Sequence, residues 1–570
     1  MRHSGIIPFK KLPYSLTFLF IHLIAMKRLF ILMLLAISVG SWAQSTERPK
    51  LVVGIVVDQM RQEYLYRFYD KFGEGGFRRL MNDGFMLRNA HYNYVPTVTG
   101  PGHASVYTGS TPAIHGIIGN EFYDKKAKKF VNCVEDSTRK AVGSPSMDGD
   151  VSPARLLAST VTDELKLFTQ KRSKVIGVSF KDRGAVLPAG HMANAAYWYD
   201  GKSGQFITST YYVSALPEWV AKFNAQKLPE KYLTQDWNTL YPIEKYTESG
   251  PDDTPYERKF SGQAKSTFPY QVANLRVKGS YEFLGNTPYA DDFLTEFAKA
   301  AVTNEQLGKD NDTDFLCISY SSTDAVGHRT GPNSVEVEDM YLRLDKNLAD
   351  LLDRLDKEVG VNKYTVFLTA DHAVADVPQY LKDNKMPAGY FSDGQLKTRL
   401  DSYLNASFPG KNYIENISNG QIFLNHDLFN QDPRNGAIEL LIVTEMIGKL
   451  LMTMDGVAGY YTADMIRDAN YNDGGIKGFV ARGYNFKRSG DIVISLEPGW
   501  FESASIQGTT HGSPYTYDTN VPALFFGFGI KKGSSVRYHP ITDIAPTISA
   551  LLRIKYPSGC TGQPVAEIFE

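Results

Sequence analysis

Apolar positions along the chain fall into short unbroken runs, and the stretches between them repeat their apolar residues at helical spacing. The runs at 51–57, 175–180, 315–320, 364–368, 492–496 and 522–528 predict strands buried on both faces, as a parallel sheet requires. Between two of them, Val337, Met340, Tyr341, Leu344, Leu348, Leu351, Leu352 and Leu355 recur at intervals of three and four, which predicts a long helix with one buried stripe. Strand, helix and strand from 315 to 368 therefore form a βαβ unit. Near the end, Asp543-Ile544-Ala545-Pro546 opens a helix that runs to about Arg553 and is stopped by Pro557. The pattern is that of an α/β protein with a mostly parallel sheet.

Two stretches break the alternation. Residues 190–300 are rich in Tyr, Trp, Pro and polar side chains, and 380–490 are interrupted by Gly and Asn. Both read as insertions on a core spanning 44–570, placed where loops leave the sheet and able to wall a substrate cleft. Separate domains or plain surface elaboration are the alternatives. With 570 residues, 43% of them hydrophobic, the chain can build a large core.

The first 43 residues stand apart. Arg2, Lys10, Lys11, Lys27 and Arg28 are basic and none is acidic, which leaves 56 of the 61 basic residues to face all 62 acidic ones. Met26-Lys27-Arg28, an apolar run over 29–39 and Ser41-Trp42-Ala43 read as a secretory signal peptide cut after Ala43, with 1–25 an upstream extension. An uncut anchor over 16–39 is the alternative. The expectation is export to the periplasm or cell surface, with no stable membrane anchor after cleavage. A formal net charge of −1 makes no case for nucleic acid binding. Of the three cysteines, Cys317 sits in an apolar run as a buried thiol, while a Cys133–Cys560 disulfide stays open.

Several polar residues sit where chemistry is done in such folds. Asp58 follows the first strand at its carboxyl end, where open α/β sheets place ligands, although a turn Asp would look the same. Asp324 and His328 are four apart, which on a helical turn puts both on one face, as a metal-binding pair or a plain surface pair. Asp371-His372 closes another strand, and His511 lies in a polar loop where a lone histidine is ordinarily just solvated. Together, four strand-end segments supply three Asp and three His, the donor set of zinc in a number that suits two ions. Two ions about 4 Å apart suit in-line displacement at phosphorus. Thr99, just before a Gly/Pro turn that opens a helix, offers a hydroxyl favoured by the positive helix end. On chemistry alone, Thr97 and Ser105 remain rivals.

In chain order, Asp58, the segment Pro96-Thr97-Val98-Thr99-Gly100-Pro101-Gly102-His103, residues 116–120, Lys181-x-Arg183, Asp324-x-x-x-His328, Asp371-His372 and His511 resemble the alkaline phosphatase superfamily, in particular its phosphate-irrepressible (PafA-type) periplasmic branch. The resemblance runs from about residue 50 to the C-terminus. It implies a three-layer sandwich with a mostly parallel central sheet and helices on both faces, and two Zn2+ per chain. By position, Asp324, His328 and His511 would hold the zinc that meets the leaving oxygen. Asp58, Asp371 and His372 would hold the other, which also binds Thr99. The resemblance selects Thr99 as the nucleophile and implies a phosphothreonine hydrolysed with net retention.

Asn120, Lys181 and Arg183 would bind the phosphate. A monoester dianion carries more nonbridging charge than a diester, and an amide, an ammonium and a guanidinium reward that charge. Taken alone, Lys181-Asp182-Arg183 is an ordinary surface stretch. In the family the resemblance points to, Lys-x-Arg accompanies monoesterases and is missing from nucleotide pyrophosphatase/phosphodiesterases. No cysteine lies near Thr99, unlike sulfatases, and no ligand set for a third metal is found. The expected activity is hydrolysis of small-molecule phosphate monoesters. A phosphodiesterase of the same fold and a metal-stabilised binding protein are the alternatives. A monomer is compatible with the sequence.

Overall fold

The computed structural model describes residues 47–569 except 432 and 504, together with positions 1, 5 and 26; the expected signal segment, Met26 apart, lies outside the described residues. From Pro49 onward the chain folds as one unit around an 11-stranded sheet. Its longer strands are β1 (Leu51–Val57), β2 (Phe85–His91), β3 (Val175–Ser179), β4 (Ala195–Asp200), β5 (Gln205–Ser209), β6 (Asp314–Tyr320), β7 (Tyr364–Thr369) and β8 (Asn520–Gly527). They lie in the order β2-β8-β7-β1-β6-β3-β4-β5. The five from β7 to β4 are parallel.

Every residue of β1, β6 and β7 is buried. Strands apolar on both faces must be covered on both. The helices α1 (Thr99–Thr108), α2 (Asp182–Ala189), α3 (Tyr289–Asn304), α4 (Ser322–Thr330), α5 (Val335–Glu358) and α6 (Ile544–Leu552) provide that cover in two packed groups. α1 packs on α2 and α6, and α5 on α3 and α4. α5 carries the apolar stripe expected from its spacing, with Leu344, Leu348, Leu351, Leu352 and Leu355 fully buried. Ser334 caps its start by accepting from the Val337 N–H. β6 and β7 flank β1, so this βαβ crossover spans one intervening strand.

Two strand expectations need correction. Ile492–Leu496 is a strand, but it belongs to a separate four-stranded sheet, where its two neighbours run antiparallel to it. β8 is in the central sheet but antiparallel to both β7 and β2. An unbroken apolar run reports burial on two faces. It carries no record of strand direction or of which sheet receives it.

The irregular stretches also differ from the sequence boundaries. Within 190–300, β4 and β5 are strands of the central sheet and α3 packs against it through Phe293 and Phe297, which meet Phe206. Their aromatic runs lack a clean period because nearly every position is buried. Within 380–490 the chain builds its own core from Leu396, Leu400, Val443 and Ile447 against Ile422 and Ile492.

The three thiols are free. The Cys133 sulfur lies against Gly100 at the start of α1, and the Cys560 sulfur against Gly109 at its end. Nine residues of helix span roughly 13 Å, beyond disulfide reach.

Candidate active site

The parallel strands deliver their polar residues to one edge. Asp58 follows β1 directly; its N–H donates to Tyr320 O (2.9 Å) and its own carbonyl accepts from Thr323 Oγ1 (2.6 Å). Asp371 and His372 lie just past the end of β7, Lys181 caps α2 after β3, and Asp324 and His328 share α4 after β6. His511 comes from the loop before β8. That loop is held by Asp518, whose Oδ2 accepts from the N–H groups of Gly512 (3.1 Å) and Ser513 (2.8 Å).

All six expected donors meet. Ligand atoms of Asp58, Asp371 and His372 lie within 4.8 Å of one another, as do those of Asp324, His372 and His511. His328 joins through Asp324, its Nε2 being 3.1 Å from Oδ1. Thus His372 stands between the two carboxylate groups, a sharing that the sequence did not indicate.

The imidazoles are fixed in one tautomer. Nδ1 of His328 donates to Thr509 O (2.8 Å), that of His372 to Ala373 O (2.9 Å) and that of His511 to Thr97 O (2.7 Å). A carbonyl can only accept, so each Nδ1 carries a proton, and in a neutral ring Nε2 then keeps the lone pair. Burial pulls His372 down to about 3 and takes His511 well below the usual histidine value, which keeps both neutral. His328 goes the other way: against its burial, the Asp324 carboxylate raises it. Asp58 Oδ1, Asp371 Oδ2 and His372 Nε2 are buried without a hydrogen-bond partner. Such orphan acceptors fit a cation between them.

The nucleophile candidates separate clearly. Thr97 Oγ1 donates to Ser513 O (3.0 Å), and Ser105 Oγ is tied to Tyr94 and His115. The Thr99 hydroxyl, on the first residue of α1, has no hydrogen-bond partner among the described residues. Asn120 Oδ1 accepts from the Gly100 N–H (2.6 Å), so its amide NH2 is the end left for a substrate. Lys181 Nζ is held between Asp58 Oδ2 (2.7 Å) and Asp324 Oδ2 (2.6 Å), bridging the two carboxylate groups. Its position is thereby tied to those two carboxylates. Arg183 lies beside Asp182 (3.6 Å), and its buried Nε lacks a partner.

A family described as type I phosphodiesterase / nucleotide pyrophosphatase matches residues 52–517. Alkaline phosphatase PhoV of Synechococcus elongatus is 47% identical over 528 residues, 92% of this chain and 94% of the relative. The chain belongs to that family, within the alkaline phosphatase superfamily. A protein of Myroides odoratus named calcium-transporting ATPase is 46% identical over 532 residues, covering 93% and 96%. Alkaline phosphatase PafA of Elizabethkingia meningoseptica is 44% identical over 522 residues, covering 91% and 94%. A crystal structure of alkaline phosphatase PafA matches with a TM-score of 0.88, covering 92% of this chain and 99% of that one. The mostly parallel α/β fold is the one expected. Among the described residues no helix is long and apolar enough to cross a membrane.

Three residues around the site of this family member had no role in the sequence reading, although His103 stood within the Thr99 segment. Gln59 donates from Nε2 to Asp324 Oδ1 (2.7 Å) and from its backbone N–H to Asp371 Oδ1 (3.2 Å), holding a left-handed φ of 67° to do so. His103 donates from Nδ1 to Thr99 O (2.9 Å) and accepts at Nε2 from Ser319 (2.8 Å). Asp518 is the third. The available signals were adjacency to Asp58, the i+4 spacing from Thr99, and an acid soon after His511.

Proposed function

We propose that this chain is an exported hydrolase of small-molecule phosphate monoesters, which works with two divalent ions and passes through a phosphothreonine at Thr99. The carrying observation is the convergence of three carboxylates and three imidazoles, each imidazole with Nδ1 committed to a carbonyl; the Thr99 hydroxyl, without a protein partner among the described residues, supports the choice of nucleophile. Carboxylate with imidazole is zinc's donor chemistry. Asp324, His328 and His511 would hold one ion and Asp58, Asp371 and His372 the other. When bound, such ions supply Lewis acidity that acidifies a hydroxyl or water and stabilises charge on the departing oxygen.

The protein's own groups do the rest. Thr99 Oγ attacks phosphorus as the bond to the ester oxygen breaks, and water then releases inorganic phosphate and regenerates the hydroxyl. The N-terminus of α1, the Asn120 amide, the third Lys181 N–H and the Arg183 guanidinium face charge on the nonbridging oxygens. A phosphodiesterase is the second reading, favoured by the family's description. The segment 26–43 supports export to the periplasm or cell surface.

The test is hydrolysis of p-nitrophenyl phosphate and bis-p-nitrophenyl phosphate by the parent, Thr99→Ala and Lys181→Ala/Arg183→Ala, with metal content measured on the same samples. Thr99→Ala should lose about 10⁴-fold in kcat, and the double variant should lose far more on the monoester than on the diester. Near-parent activity of Thr99→Ala, or fewer than two metals per active chain, would sink the mechanism. A parent that prefers the diester would favour the second reading.

A further inference from the structure

Beside the site lies a cavity of about 370 Å³ whose lining includes His328, His511 and Asn120. The remaining wall is mixed, with an apolar part and polar residues such as Asn419, Gln421 and Ser495. Val95, Pro96 and Val98 contribute from the segment that leads into α1, and Phe391, Ile476 and Trp500 from the second irregular stretch and the strand beyond it. Its size lies at the low end for small-molecule pockets and suits a group of one or two rings.

The charge of the lining is one-sided. Histidines aside, its charged side chains are Asp393 and Glu502, and no lysine or arginine is among them. The two carboxyls are hydrogen bonded to each other; burial and then the Glu502 charge raise Asp393 above the usual range. Two acids sharing one proton still carry one negative charge at neutral pH and approach two in alkali. Lys181 and Arg183, which face the phosphoryl group in the proposed mechanism, are outside this lining.

We infer that this cavity receives the leaving group, and that it selects uncharged, largely apolar leaving groups against anionic ones. The inference rests on the phosphatase reading above. Two of its lining residues, His328 and His511, belong to the ion proposed to meet the departing oxygen, so the ester's organic part points into this space. A leaving group that bears a further phosphate meets two carboxylates and no cation there. A neutral aryl group instead buries apolar surface against Phe391, Ile476 and Val98. Pyrophosphate and nucleoside polyphosphates are thereby the disfavoured class, and aryl monoesters the favoured one.

The experiment compares kcat/KM for phenyl phosphate, methyl phosphate and inorganic pyrophosphate in the fully metallated enzyme and two variants. The isosteric Asp393→Asn/Glu502→Gln pair should raise the pyrophosphate-to-phenyl ratio by on the order of tenfold at low ionic strength, and less in high salt. Ile476→Trp, at a half-buried lining position, should lower the phenyl-to-methyl ratio by about tenfold as its ring fills the cavity. The neutralising pair changes almost no volume, so its result stands even if the tryptophan variant folds poorly. If the parent turns over phenyl phosphate but neither ratio moves, the cavity assignment is overturned and the phosphatase reading survives. If the parent does not hydrolyse phenyl phosphate, both fall together.

Discussion

Gly102 sits at the closest approach between the helix that carries Thr99 and the strand end that carries Asp371. It is buried on α1, and a Cβ placed there would lie 2.2 Å from Asp371 O and 2.8 Å from Asp371 Cβ. Ordinary contact starts at 3.4 Å, so Gly102→Ala forces the two backbones apart by more than 1 Å. Neither side yields easily. α1 is tied by Asn120 at the Gly100 N–H and by His103 to Ser319, while the strand end is tied by Gln59 to Asp371 and by the Tyr92 hydroxyl to Ala370 O (2.8 Å). The displacement therefore appears between Thr99 and the Asp371-His372 pair. A misplacement of about 1 Å between reacting groups costs on the order of 10²-fold. The backbone is helical, where alanine is the better residue by about 1 kcal/mol, so a loss cannot come from conformational preference. Overpacking should cost about 1–3 kcal/mol of stability. The assay is kcat/KM for an aryl phosphate at measured metal content, alongside a thermal melt. Gly394→Ala, where the nearest atom is 4.0 Å away, serves as the control and should match the parent. If Gly102→Ala keeps a third or more of parental kcat/KM, the proposed rigid coupling is wrong.

Gln59→Gly should cut kcat/KM by about tenfold through the loss of the donor to Asp324, yet change stability little. Relief of a left-handed φ, about 1–3 kcal/mol, offsets a charged hydrogen bond of about 1.5–3 kcal/mol, and a large drop in melting temperature would contradict this. A thiol reductant should leave the melting temperature unchanged, because Cys133 and Cys560 lie at opposite ends of α1; a disulfide would have added about 2–4 kcal/mol. Glu257 and Glu336 are buried acids raised above the usual range, Glu257 by burial and the Glu336 charge, Glu336 by burial with Asp252 adding to it. The native chain then holds protons that the unfolded chain releases, so stability present in acid is lost as pH climbs past the ordinary glutamate value and through the raised ones. Glu336→Gln should flatten that decline and raise the urea midpoint at pH 9, with a gain of about 1 kcal/mol or more; parallel pH profiles for the two proteins would refute it.

What could be read from sequence was whatever depends on neighbours along the chain. The bounds of β1, the stripe of α5 and the shared face of Asp324 and His328 follow from period and spacing, and each appears as expected. The meeting of Asp58, Asp324, Asp371 and His511 was legible only as a set, since each follows or precedes a strand and parallel strands end at one edge. Strand direction was not legible: β8 is an apolar run like the parallel strands, yet it lies antiparallel to both of its neighbours. Gln59 was hidden for another reason. Its partners lie 265 and 312 residues away, and a glutamine after an aspartate has no pattern of its own.

The proposed ligands are also linked in series through their hydrogen bonds. His328 donates to the carbonyl of Thr509, two residues before His511; His511 donates to that of Thr97, two residues before Thr99; and Lys181 joins Asp58 to Asp324. Each donor's orientation thus depends on a segment that bears another donor or the nucleophile. Polar contacts of this kind hold only when all their members are satisfied, because an unpaired buried partner costs about 1–3 kcal/mol. The same interactions that bring remote segments together therefore orient the Nε2 lone pairs and seat the threonine, which is why no residue of the set could be assigned with force by itself. A cluster built this way loses its geometry as a unit, so its six donors are better regarded as one element of structure than as six separate ligands.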